Sequence, residues 1–439
     1  MKPYAKTIRF LSVFLVIYIL SLITIKAGAI DSPERRLPGI EEAACTFDAF
    51  SVPTDVQVVG IGEATHGNRE FQQVKLWVLQ KMVENGTCHA IAFEMSPGEA
   101  AVYNDAIHQA DGDLAELLAS TNYPIYDTAE MADLLSWMRE YNLSHPEEES
   151  LVFYGVDMQG EEKELAYLNN FCQANAELFT EDELKQLSAF GEAVSDPDTN
   201  FDATPYHDFL VGLQQKLLTA GEGTAVRDGY GEQRFCIAAQ IAGTVVQWID
   251  APSFDEDANA YGQYRDDCMA ANLKTFYELE AERGYPQILI TAHNGHTMKG
   301  NAQGYGDTTM GNRIKELFDG SYYTIGTEFY QACVDIHTAG TFDDEYVRED
   351  HNFCSSDPLA YQAQFFDNGI CCIDVASVTE STPEIYRLLH KPCFTGCAGE
   401  GYNAYMDFYR SYRSKLVIAD HYDAMICFYE AAPIHPLHY

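Results

Sequence analysis

Seven short runs of apolar and β-branched residues recur along this chain, and each is followed by polar residues. Continuous runs of this kind are typical of strands whose two faces are both buried. A sheet buried on both faces needs a covering layer on each side, which constrains the fold strongly. The predicted strands are residues 56–61, 90–93, 151–156, 287–291, 322–326, 370–375 and 424–429.

Helical patterns separate these runs. Residues 70–85 carry apolar side chains at helical spacing, and Gly86 follows as a stop signal. Alternation of strands and helices favours an α/β fold with a mainly parallel sheet. We therefore predict a mainly parallel central sheet flanked by helices.

A long segment, residues 160–283, has no good strand signal and separates the third predicted strand from the fourth. Apolar periodicity within it predicts helices instead. The expected helices are residues 161–179, 181–193, 206–220, 232–249 and 258–283. We predict that this segment is a large helical insertion over the carboxyl edge of the strands.

The amino-terminal segment has the three parts of a secretory signal. Positive residues come first, an apolar run covers residues 10–25, and Ala27-Gly28-Ala29 offers a cleavage site. The run is short for a membrane span, which needs about 20 residues, although an uncleaved anchor is the alternative. We predict a signal peptide at 1–29, followed by one large domain at 40–439. The expected location is secreted or extracytoplasmic, or membrane-anchored if the signal is uncleaved.

The charge balance excludes one class of partner. The chain has 27 basic and 67 acidic residues, for a formal net charge of −40. Binding to nucleic acid requires clustered Lys and Arg, so we expect no nucleic-acid partner. An anionic membrane surface is disfavoured for the same reason, and contact with a membrane is expected only through an uncleaved signal.

The cysteine content fits an exported chain without fixing any pairing. All 12 cysteines lie after the predicted signal, and an even number permits disulfides in an oxidising compartment. Cys393 and Cys397 are the best local pair on spacing. The alternative is that many of these cysteines are buried as small hydrophobic residues.

Acidic and imidazole side chains follow the predicted strands at the points where the strands end. Glu63 and His66 come after the first strand, Glu94 after the second, and His293 and His296 after the fourth. In an open α/β sheet, ligands bind in the crevice beyond the carboxyl ends of the strands. Residues from separate parts of the chain therefore converge, which predicts a functional cleft.

Three further polar residues belong to this set, and each has a structural alternative. Arg69 lies in the first turn of a predicted helix and could be a surface residue. Asp157 and Glu328 follow the third and fifth strands and could accept hydrogen bonds from backbone N–H groups. His293 or His296 could likewise be structural, although we expect at least one of them to be functional.

Several catalytic schemes are absent from the sequence. It has no Gly-x-Ser-x-Gly elbow, no His-Glu-x-x-His motif and no phosphate-binding loop. The remaining residue types suit activation of water. A histidine can accept a proton from water near neutral pH, a carboxylate can orient that ring, and a second histidine or an arginine can stabilise an oxyanion.

The motifs at these strand ends resemble those of a known family. VGIGEATHG at 59–67 followed by REF at 69–71 resembles the opening motif of the erythromycin esterase family, and AHNGH at 292–296 resembles its His-Asn-x-His segment. Further similar blocks are AFE at 92–94, FYGVDMQ at 153–159, MGN at 310–312, YTIG at 323–326, YDAMI at 422–426 and residues 433–437. The resemblance covers nearly the whole chain after the predicted signal.

The resemblance implies hydrolysis of a macrolide lactone ring without a metal or other cofactor. The substrate would then be a small-molecule ester or lactone, and 40–439 would be an erythromycin esterase-like catalytic domain. By motif match, His66 would be the base that activates water. Glu63, Glu94, His293 and His296 would complete the site, with Arg69 close by.

Two other functions remain open from the residue types. A metal-dependent hydrolase or peptidase could use Glu63, His293 and His296 as ligands, because all three are ligand types that zinc accepts. A non-catalytic small-molecule binder could also have such a cleft.

The amino-terminal pattern generates a testable prediction. If the signal is cleaved after Ala29, the exported protein should begin at or near Ile30, because the small residues before it suit signal peptidase. Mass spectrometry of the secreted protein measures this end directly. An intact Met1 on protein retained in the cytoplasm would contradict the prediction.

Overall fold

The computed structural model describes residues 13–18, 34–195, 201–224, 229–300, 308–338 and 347–438. The chain divides into two units, Met1–Arg35 and Arg36–Tyr439. In the first unit residues 13–18 are helical, while the positive residues and the cleavage site of the predicted signal lie outside the described residues. No helix in the described parts of the chain combines the length and the apolar character that a bilayer span requires.

The second unit is built on a large mixed sheet. The strands are β1 (Val58–Glu63), β2 (Cys88–Phe93), β3 (Val152–Gly155), β4 (Gln287–His293), β5 (Tyr322–Thr338), β6 (Arg348–Cys354), β7 (Ile370–Asp374), β8 (Cys393–Gly396), β9 (Gly401–Tyr402), β10 (Arg413–Leu416) and β11 (Ala424–Ala431). The strand order is β3-β2-β4-β1-β5-β11-β7, with β6 and β9 pairing to the far end of β5. β8 and β10 form a separate antiparallel pair.

Most of the sheet is parallel. β1, β2, β3, β4, β5 and β11 run in one direction, and β7 and β6 pair antiparallel to β11 and β5. Since β4 lies between β2 and β1, the fourth strand in the chain enters between the first two. The carboxyl ends of β1, β2 and β4 therefore lie side by side, which is where an open α/β sheet binds ligands.

Helices surround the sheet. In the second unit they are α1 (Ile40–Ala43), α2 (Arg69–Glu84), α3 (Pro97–Ile107), α4 (Leu114–Leu118), α5 (Ala129–Ser144), α6 (Glu161–Ala174), α7 (Glu181–Val194), α8 (His207–Thr224), α9 (Gly229–Asp250), α10 (Ala258–Glu282), α11 (Asn294–Thr297), α12 (Met310–Leu317), α13 (Pro383–Leu389), α14 (Tyr405–Tyr409) and α15 (Ile418–His421). Helix α2 ends where Gly86 takes a φ of 70°, the left-handed conformation that commonly terminates helices.

Alternation along the strands divides the core into two layers. Val59 and Ile61 pack in one layer with residues of α2, α3 and α5, whereas Val58 packs in the other layer with residues of α6 to α10. Successive side chains of a strand point to opposite faces, so one apolar run supplies both layers. Burial of each large aliphatic side chain contributes about 1.5–3 kcal/mol. The runs are therefore continuous because neither face of the sheet meets water.

The predicted α/β class and all seven predicted strands are confirmed, with shifts of one or two residues at their ends, except that β5 continues from the predicted end at 326 to Thr338. The helices expected within 160–283 are also present, as α6 to α10. Of these, α10 contributes side chains to the carboxyl edge of the sheet, and the others thicken the layer on one face. The chain also has strands that were not predicted, namely β6, β8, β9, β10 and the second half of β5.

All 12 cysteines lie within the described residues, and no disulfide joins any two of them there. Cys393 begins β8 and Cys397 follows its last residue, so the pair with the best sequence spacing is joined by a short strand rather than by a tight turn. Six of the twelve are buried among apolar residues of the three core clusters: Cys88, Cys172, Cys371, Cys372, Cys393 and Cys427. These cysteines behave as small hydrophobic residues of the core.

Candidate functional site

A cleft of about 570 Å³ opens at the carboxyl ends of the central strands. His66, Glu94, His293 and His296 line it, together with Arg265 of α10. Its other lining residues are Gln159, Phe254, Ala258, Tyr261, Gly262, Asp266, Gly295, Thr309, Cys397, Gly399, Met406, Ser411 and Ser414. The volume lies within the range of pockets that bind small molecules. The structure therefore brings together four of the six residues predicted for the site on one surface.

Strand pairing explains this convergence. Glu63, the last residue of β1, lies in register with His293, the last residue of β4. Glu94 follows β2, and its backbone N–H donates to the carbonyl oxygen of Thr291 on β4 at 3.0 Å. Three strands that are distant in sequence thus end at the same level and present their next polar side chains to one crevice.

The His66 ring is held by the Glu63 carboxylate. The distance from His66 Nδ1 to Glu63 Oε1 is 2.8 Å. Burial alone would raise the pKa of Glu63, but the Lys75 ammonium and the hydrogen bond from His66 lower that pKa to about 2. An ionised carboxylate only accepts hydrogen bonds, so Nδ1 must donate, and Nε2 of neutral His66 is the unprotonated nitrogen. This is the tautomer that a general base needs.

Behind Glu63 lies Lys75, a lysine whose side chain is only 1% exposed. Its Nζ is 3.0 Å from Glu63 Oε2 and donates to Gln72 Oε1 at 2.6 Å. The rings of Phe93 and Tyr126 lie about 5 Å from the same ammonium. Burial lowers the pKa of Lys75, and the neighbouring Glu63 opposes that effect. The buried carboxylate and the buried ammonium therefore keep each other charged.

His293 has the opposite tautomer. The backbone N–H of Gly295 donates to His293 Nδ1 at 3.2 Å, so Nδ1 has no proton and Nε2 of the neutral ring carries it. Burial and the neighbouring His66 lower the pKa of His293 to about 3, which keeps the ring neutral. The His66 and His293 ring centres are 5.1 Å apart. One ring presents an acceptor to the cleft and the other carries a donor.

Glu94 lies at the centre of the polar network. Its Oε2 accepts from the backbone N–H of His293 at 2.8 Å, and its Oε1 accepts from Arg265 Nη2 at 2.8 Å. The same Oε1 is 3.2 Å from His296 Nε2. Burial would raise the pKa of Glu94, but His296 and Arg265 hold it well below its usual range. Glu94 is therefore an ionised group that fixes the positions of the residues around it.

His296 has two carboxylate partners, Glu94 at Nε2 and Asp266 at Nδ1, where the distance is 2.5 Å. Burial opposes protonation, but the two acids raise the pKa of His296 to about 10. The ring is thus a permanent cation at neutral pH, with both N–H groups in use. It cannot serve as a base, and it supplies positive charge beside Glu94.

Arg265 links the cleft to the third strand end. Its Nε and Nη2 donate to both carboxylate oxygens of Asp157, at 2.6 to 3.2 Å, and Nη2 also donates to Glu94. The Asp157 side chain is fully buried, so its role is to hold the guanidinium. This is the structural role considered for Asp157 from sequence, with a side-chain donor in place of a backbone one.

Two other predicted positions do not line the cleft. Arg69 Nε and Nη2 donate to Glu70 Oε1 at 3.2 and 2.7 Å, which directs the guanidinium to its own helix. Glu328 accepts from the backbone N–H groups of Phe329 and Gly396 at 2.8 to 2.9 Å. Burial and the nearby Asp357 raise the pKa of Glu328 well above its usual value. Glu328 therefore connects β5 to β8 as a structural residue.

Sequence reasoning did not identify Lys75, Arg265 or Asp266. Lys75 lies in a helix whose apolar periodicity gave no sign that a lysine would face the core. Arg265 and Asp266 lie inside α10, far in sequence from any strand end. One usable signal was the set of carboxylates predicted at the strand ends, for which no cationic partner had been identified. Carboxylates buried at such a site require buried cations. Such a requirement gives the charge of the missing residues but not their positions.

The donor set fits a metal ion poorly. Glu63, one of the three ligand candidates, has its oxygens engaged by His66, Lys75 and Gln72. His296, the second, has both nitrogens directed at carboxylates, and a metal ligand must be unprotonated. Within the described residues, no group of three or more His, Cys, Asp or Glu side chains is arranged to hold a metal.

Comparison with solved structures finds this fold in other proteins. A protein of Bacillus cereus superposes with a TM-score of 0.70 at 18% identity, covering 90% of this chain and 97% of that one. A crystal structure of a mutant of erythromycin esterase EreC, in its open conformation, superposes with a TM-score of 0.58 at 13% identity, covering 86% and 91% of the two chains.

Sequence comparison identifies the family. Erythromycin esterase type II of Escherichia coli is 22% identical over 337 residues, which is 69% of this chain and 76% of that protein. The family model for erythromycin esterase matches residues 83–431, a span that contains Glu94, Arg265, His293 and His296. Membership supports an ester or macrolide hydrolase at the level of the family. The chain belongs to the erythromycin esterase family.

Proposed function

We propose that this protein hydrolyses a carboxylic ester or macrolactone with water activated by His66 and without a metal ion. The observation that carries this proposal is the pair of histidine rings, with centres 5.1 Å apart, of which His66 directs Nδ1 at the Glu63 carboxylate and His293 accepts at Nδ1 from the Gly295 backbone N–H. Ester hydrolysis needs an acceptor for the proton of water and a donor for the developing oxyanion. His66 and His293 supply one of each within a single cleft.

In the first step, His66 Nε2 takes a proton from a water molecule while the water oxygen adds to the acyl carbon. The carbonyl π electrons move to the oxygen, and the His293 Nε2–H group donates to that oxyanion. Positive charge on His66 is stabilised by Glu63, whose carboxylate already accepts from Nδ1. His293 loses no proton in this step, which suits a ring whose neutral form is strongly favoured.

In the second step, the tetrahedral intermediate collapses. The carbon–oxygen bond to the alcohol breaks, and the His66 Nε2–H group gives its proton to the leaving oxygen. The products are an acid and an alcohol, which remain one molecule when the substrate is a lactone. His66 returns to its starting tautomer, because the Nδ1 proton stays on the ring and is donated to Glu63 throughout.

The charged network around Glu94 would prepare the cleft before substrate binds. Arg265 and protonated His296 lie on the cleft surface, and both are fixed by carboxylates. Charged groups that are already fixed in position need little reorganisation when negative charge develops on the substrate during the reaction. This is the main advantage of such sites over water. We assign to these two cations the stabilisation of the negative charge that develops on the substrate oxygen, and the binding of the acid product.

The leading test is incubation of a panel of macrolide lactones with the protein, followed by mass spectrometry. Gain of one water by a macrolide is expected for the parent protein. His66→Ala should lose activity by about 10²–10⁴-fold, because a positioned general base contributes that much. His66→Asn should fail similarly, since an amide cannot accept the proton.

His390→Ala is a matched control for the His66 variants. His390 is exposed on the surface after α13, and its Nδ1 lies 2.8 Å from the backbone oxygen of Tyr386. Activity of this variant should equal that of the parent protein. Hydrolysis by His66→Ala at close to the parent rate would show that His66 is not the base.

A second prediction concerns metal. Dialysis against a strong chelator should leave hydrolysis intact, because Glu63 and His296 already have protein partners at their ligand atoms. The measurement compares the initial rate before and after dialysis. Loss of activity that zinc or manganese restores would favour a metal-dependent hydrolase instead.

A third prediction concerns stability against pH. In the folded protein the pKa of His296 is raised to about 10, so its stabilising contribution is complete below pH ~6.5 and is lost as pH rises through ~10. The pKa of His293 is lowered to about 3, so its contribution is lost as pH falls from ~6.5 to ~3. The summed contribution of these two histidines to the free energy of unfolding should therefore be largest near pH ~6.5.

Urea unfolding at several pH values measures this dependence. His296→Gln should flatten the alkaline side of the profile, because the variant has no titrating ring, and its stability should be lower at neutral pH by a few kcal/mol (order of magnitude). The control is His421→Gln, because His421 Nδ1 lies 2.8 Å from the backbone oxygen of Val417, the residue just before α15, and no carboxylate is involved in that contact. An unchanged alkaline slope in His296→Gln would contradict the assignment.

A further inference from the structure

Two pairs of cysteines face each other across antiparallel pairings at one edge of the sheet. Among the strand pairings and bridges of the described residues, cysteine stands opposite cysteine at Cys45–Cys372 and at Cys371–Cys427. Cys371 and Cys372 both lie on β7, the last strand in the order of the sheet. Four of the 12 cysteines of the chain therefore meet at a single strand.

The first pair joins the segment after α1 to the outer side of β7. The backbone N–H of Cys45 donates to the carbonyl oxygen of Cys372 at 2.9 Å, and the N–H of Cys372 donates to the carbonyl oxygen of Cys45 at 2.8 Å. In a hydrogen-bonded antiparallel pair of this kind, the Cα atoms are about 5.5 Å apart. Disulfides join residues whose Cα atoms are about 4.4–6.8 Å apart. The backbone thus already has the spacing that a disulfide requires.

The second pair joins β7 to β11. The backbone N–H of Val375 donates to the carbonyl oxygen of Asp423 at 2.8 Å, and this arrangement recurs every two residues along an antiparallel ladder. Cys371 and Cys427 are two such steps away, so their Cα atoms are also about 5.5 Å apart. A hydrogen bond between the two thiols is the main reason why the pKa of Cys427 is well above its usual value. The sulfur atoms are therefore already in contact.

The faces of the sheet determine which cysteine can bond to which. Cys45 and Cys372 pack in the core layer that contains Val59 and Ile61. Cys371 and Cys427 pack together in a different core cluster. Because successive side chains of a strand point to opposite faces, a bond from Cys45 to Cys371, or from Cys372 to Cys427, would have to pass through the sheet. One pairing scheme remains.

The pair with the best sequence spacing does not have this geometry. Cys393 is the first residue of the four-residue strand β8, and Cys397 follows its last residue. A strand advances about 3.3 Å for each residue, so the Cα atoms of these two cysteines lie beyond the limit of about 7 Å for a disulfide. Pairing across strands, rather than spacing along the chain, identifies the candidates.

We propose that Cys45–Cys372 and Cys371–Cys427 form two disulfides when this protein folds in an oxidising compartment. The inference is independent of the proposed catalytic function and rests on the predicted export, because disulfides persist in such compartments. The first bridge would fasten the segment before β1 to the edge of the sheet, and the second would fasten β7 to β11. Residues that pack as thiols in the core would thereby hold the sheet edge covalently.

Each bridge forms by thiol–disulfide exchange with a small disulfide such as oxidised glutathione. One cysteine thiolate attacks the glutathione disulfide, and one glutathione thiolate leaves. The second cysteine thiolate attacks the mixed disulfide and releases the other glutathione. Two protein thiols are oxidised, and one glutathione disulfide is reduced to two thiols.

Burial indicates when these bridges form. It raises the pKa of Cys45 and of Cys372, and the thiolate is the form that reacts. Closure is therefore favoured during folding, before the strands are covered, and reduction of the folded protein is slow. Because Cys45 is half-buried whereas Cys371 and Cys427 are buried, the Cys45–Cys372 bridge should be the first to open in reduced glutathione.

The experiment refolds the full chain from urea and reductant in a buffer of reduced and oxidised glutathione, and circular dichroism follows recovery of the fold. Remaining thiols are blocked with N-ethylmaleimide in denaturant, and the peptides are mapped by mass spectrometry. The peptides of Cys45, Cys371–Cys372 and Cys427 should form one linked set that reductant separates. The same map of protein collected from the medium of expressing cells measures the pairing without refolding. Blocked thiols at all four positions in folded protein would overturn the inference.

Double variants resolve the connectivity, because Cys371 and Cys372 are adjacent and share a peptide. Cys371→Ala/Cys427→Ala should retain one bridge, between Cys45 and Cys372, and Cys45→Ala/Cys372→Ala should retain the other. Cys45→Ala/Cys371→Ala leaves two cysteines that point to opposite faces, so it should have no bridge. A bridge between Cys372 and Cys427 in that variant, or the absence of either expected bridge, would overturn the pairing.

Thermal unfolding measures what the bridges contribute. Reductant should lower the Tm of the oxidised parent protein by roughly 3–6 °C for each bridge, because a disulfide that closes a long loop constrains the unfolded chain. Each of the two matched double variants should lose part of this difference between oxidised and reduced protein. The control is Cys172→Ala, which removes a buried core cysteine of α6 and should keep the whole difference. A full difference in the matched double variants would show that the bridges are not its cause.

Discussion

Burial of carboxylates at the ends of β1, β2 and β3 is the constraint on which the site depends. Glu63 and Asp157 are fully buried and Glu94 is 9% exposed. A buried carboxylate without partners costs several kcal/mol, so each must meet a cation or several N–H groups. The partners are Lys75 for Glu63, and Arg265 for both Glu94 and Asp157. This requirement fixes the helices α2 and α10 against the strand ends.

The same constraint gives three histidines three different states. Glu63 accepts from His66 Nδ1, so that Nε2 is the nitrogen without a proton in the neutral ring. A backbone N–H at Nδ1 gives neutral His293 the other tautomer, and two acids keep His296 charged. Environments that separate the protonation states of like groups are how enzymes assign acid, base and electrostatic roles. None of these states follows from residue type, because all three rings start from the same intrinsic pKa of about 6.5. They follow from what each ring nitrogen touches.

The sequence was sufficient to predict the central strands and the residues that follow them, because both depend on local patterns. Apolar runs identified β1 to β4, and the strand-end rule located Glu63, His66, Glu94, His293 and His296 together. It could not predict Lys75 or Arg265, whose roles depend on helix rotation against the sheet. It also placed Arg69 in the site because of its motif, whereas the adjacent Glu70 holds that guanidinium on the helix. Local sequence patterns thus predicted the carboxylates. Tertiary packing supplied the cationic side chains, Lys75 and Arg265, that neutralise them.

The turn that carries His66 is also held by tertiary contacts, with β5 and with the segment near the carboxyl end of the chain. The Gly67 carbonyl oxygen accepts from the backbone N–H groups of Asp335 on β5 and of Ile434 near the carboxyl end, at 3.2 and 3.1 Å. A Cβ atom at Gly67 would lie 1.7 Å from the Asp335 oxygen, so only glycine allows this approach. Asn68 Nδ2 donates to the carbonyl oxygens of Cys333 and Ala432 at 2.8 and 2.9 Å. A general base must be held within a fraction of an ångström of its working position. Residues 433–437 do not line the cleft, but the backbone of Ile434 contacts Gly67 directly, so the chain beyond β11 is part of what holds His66 in place.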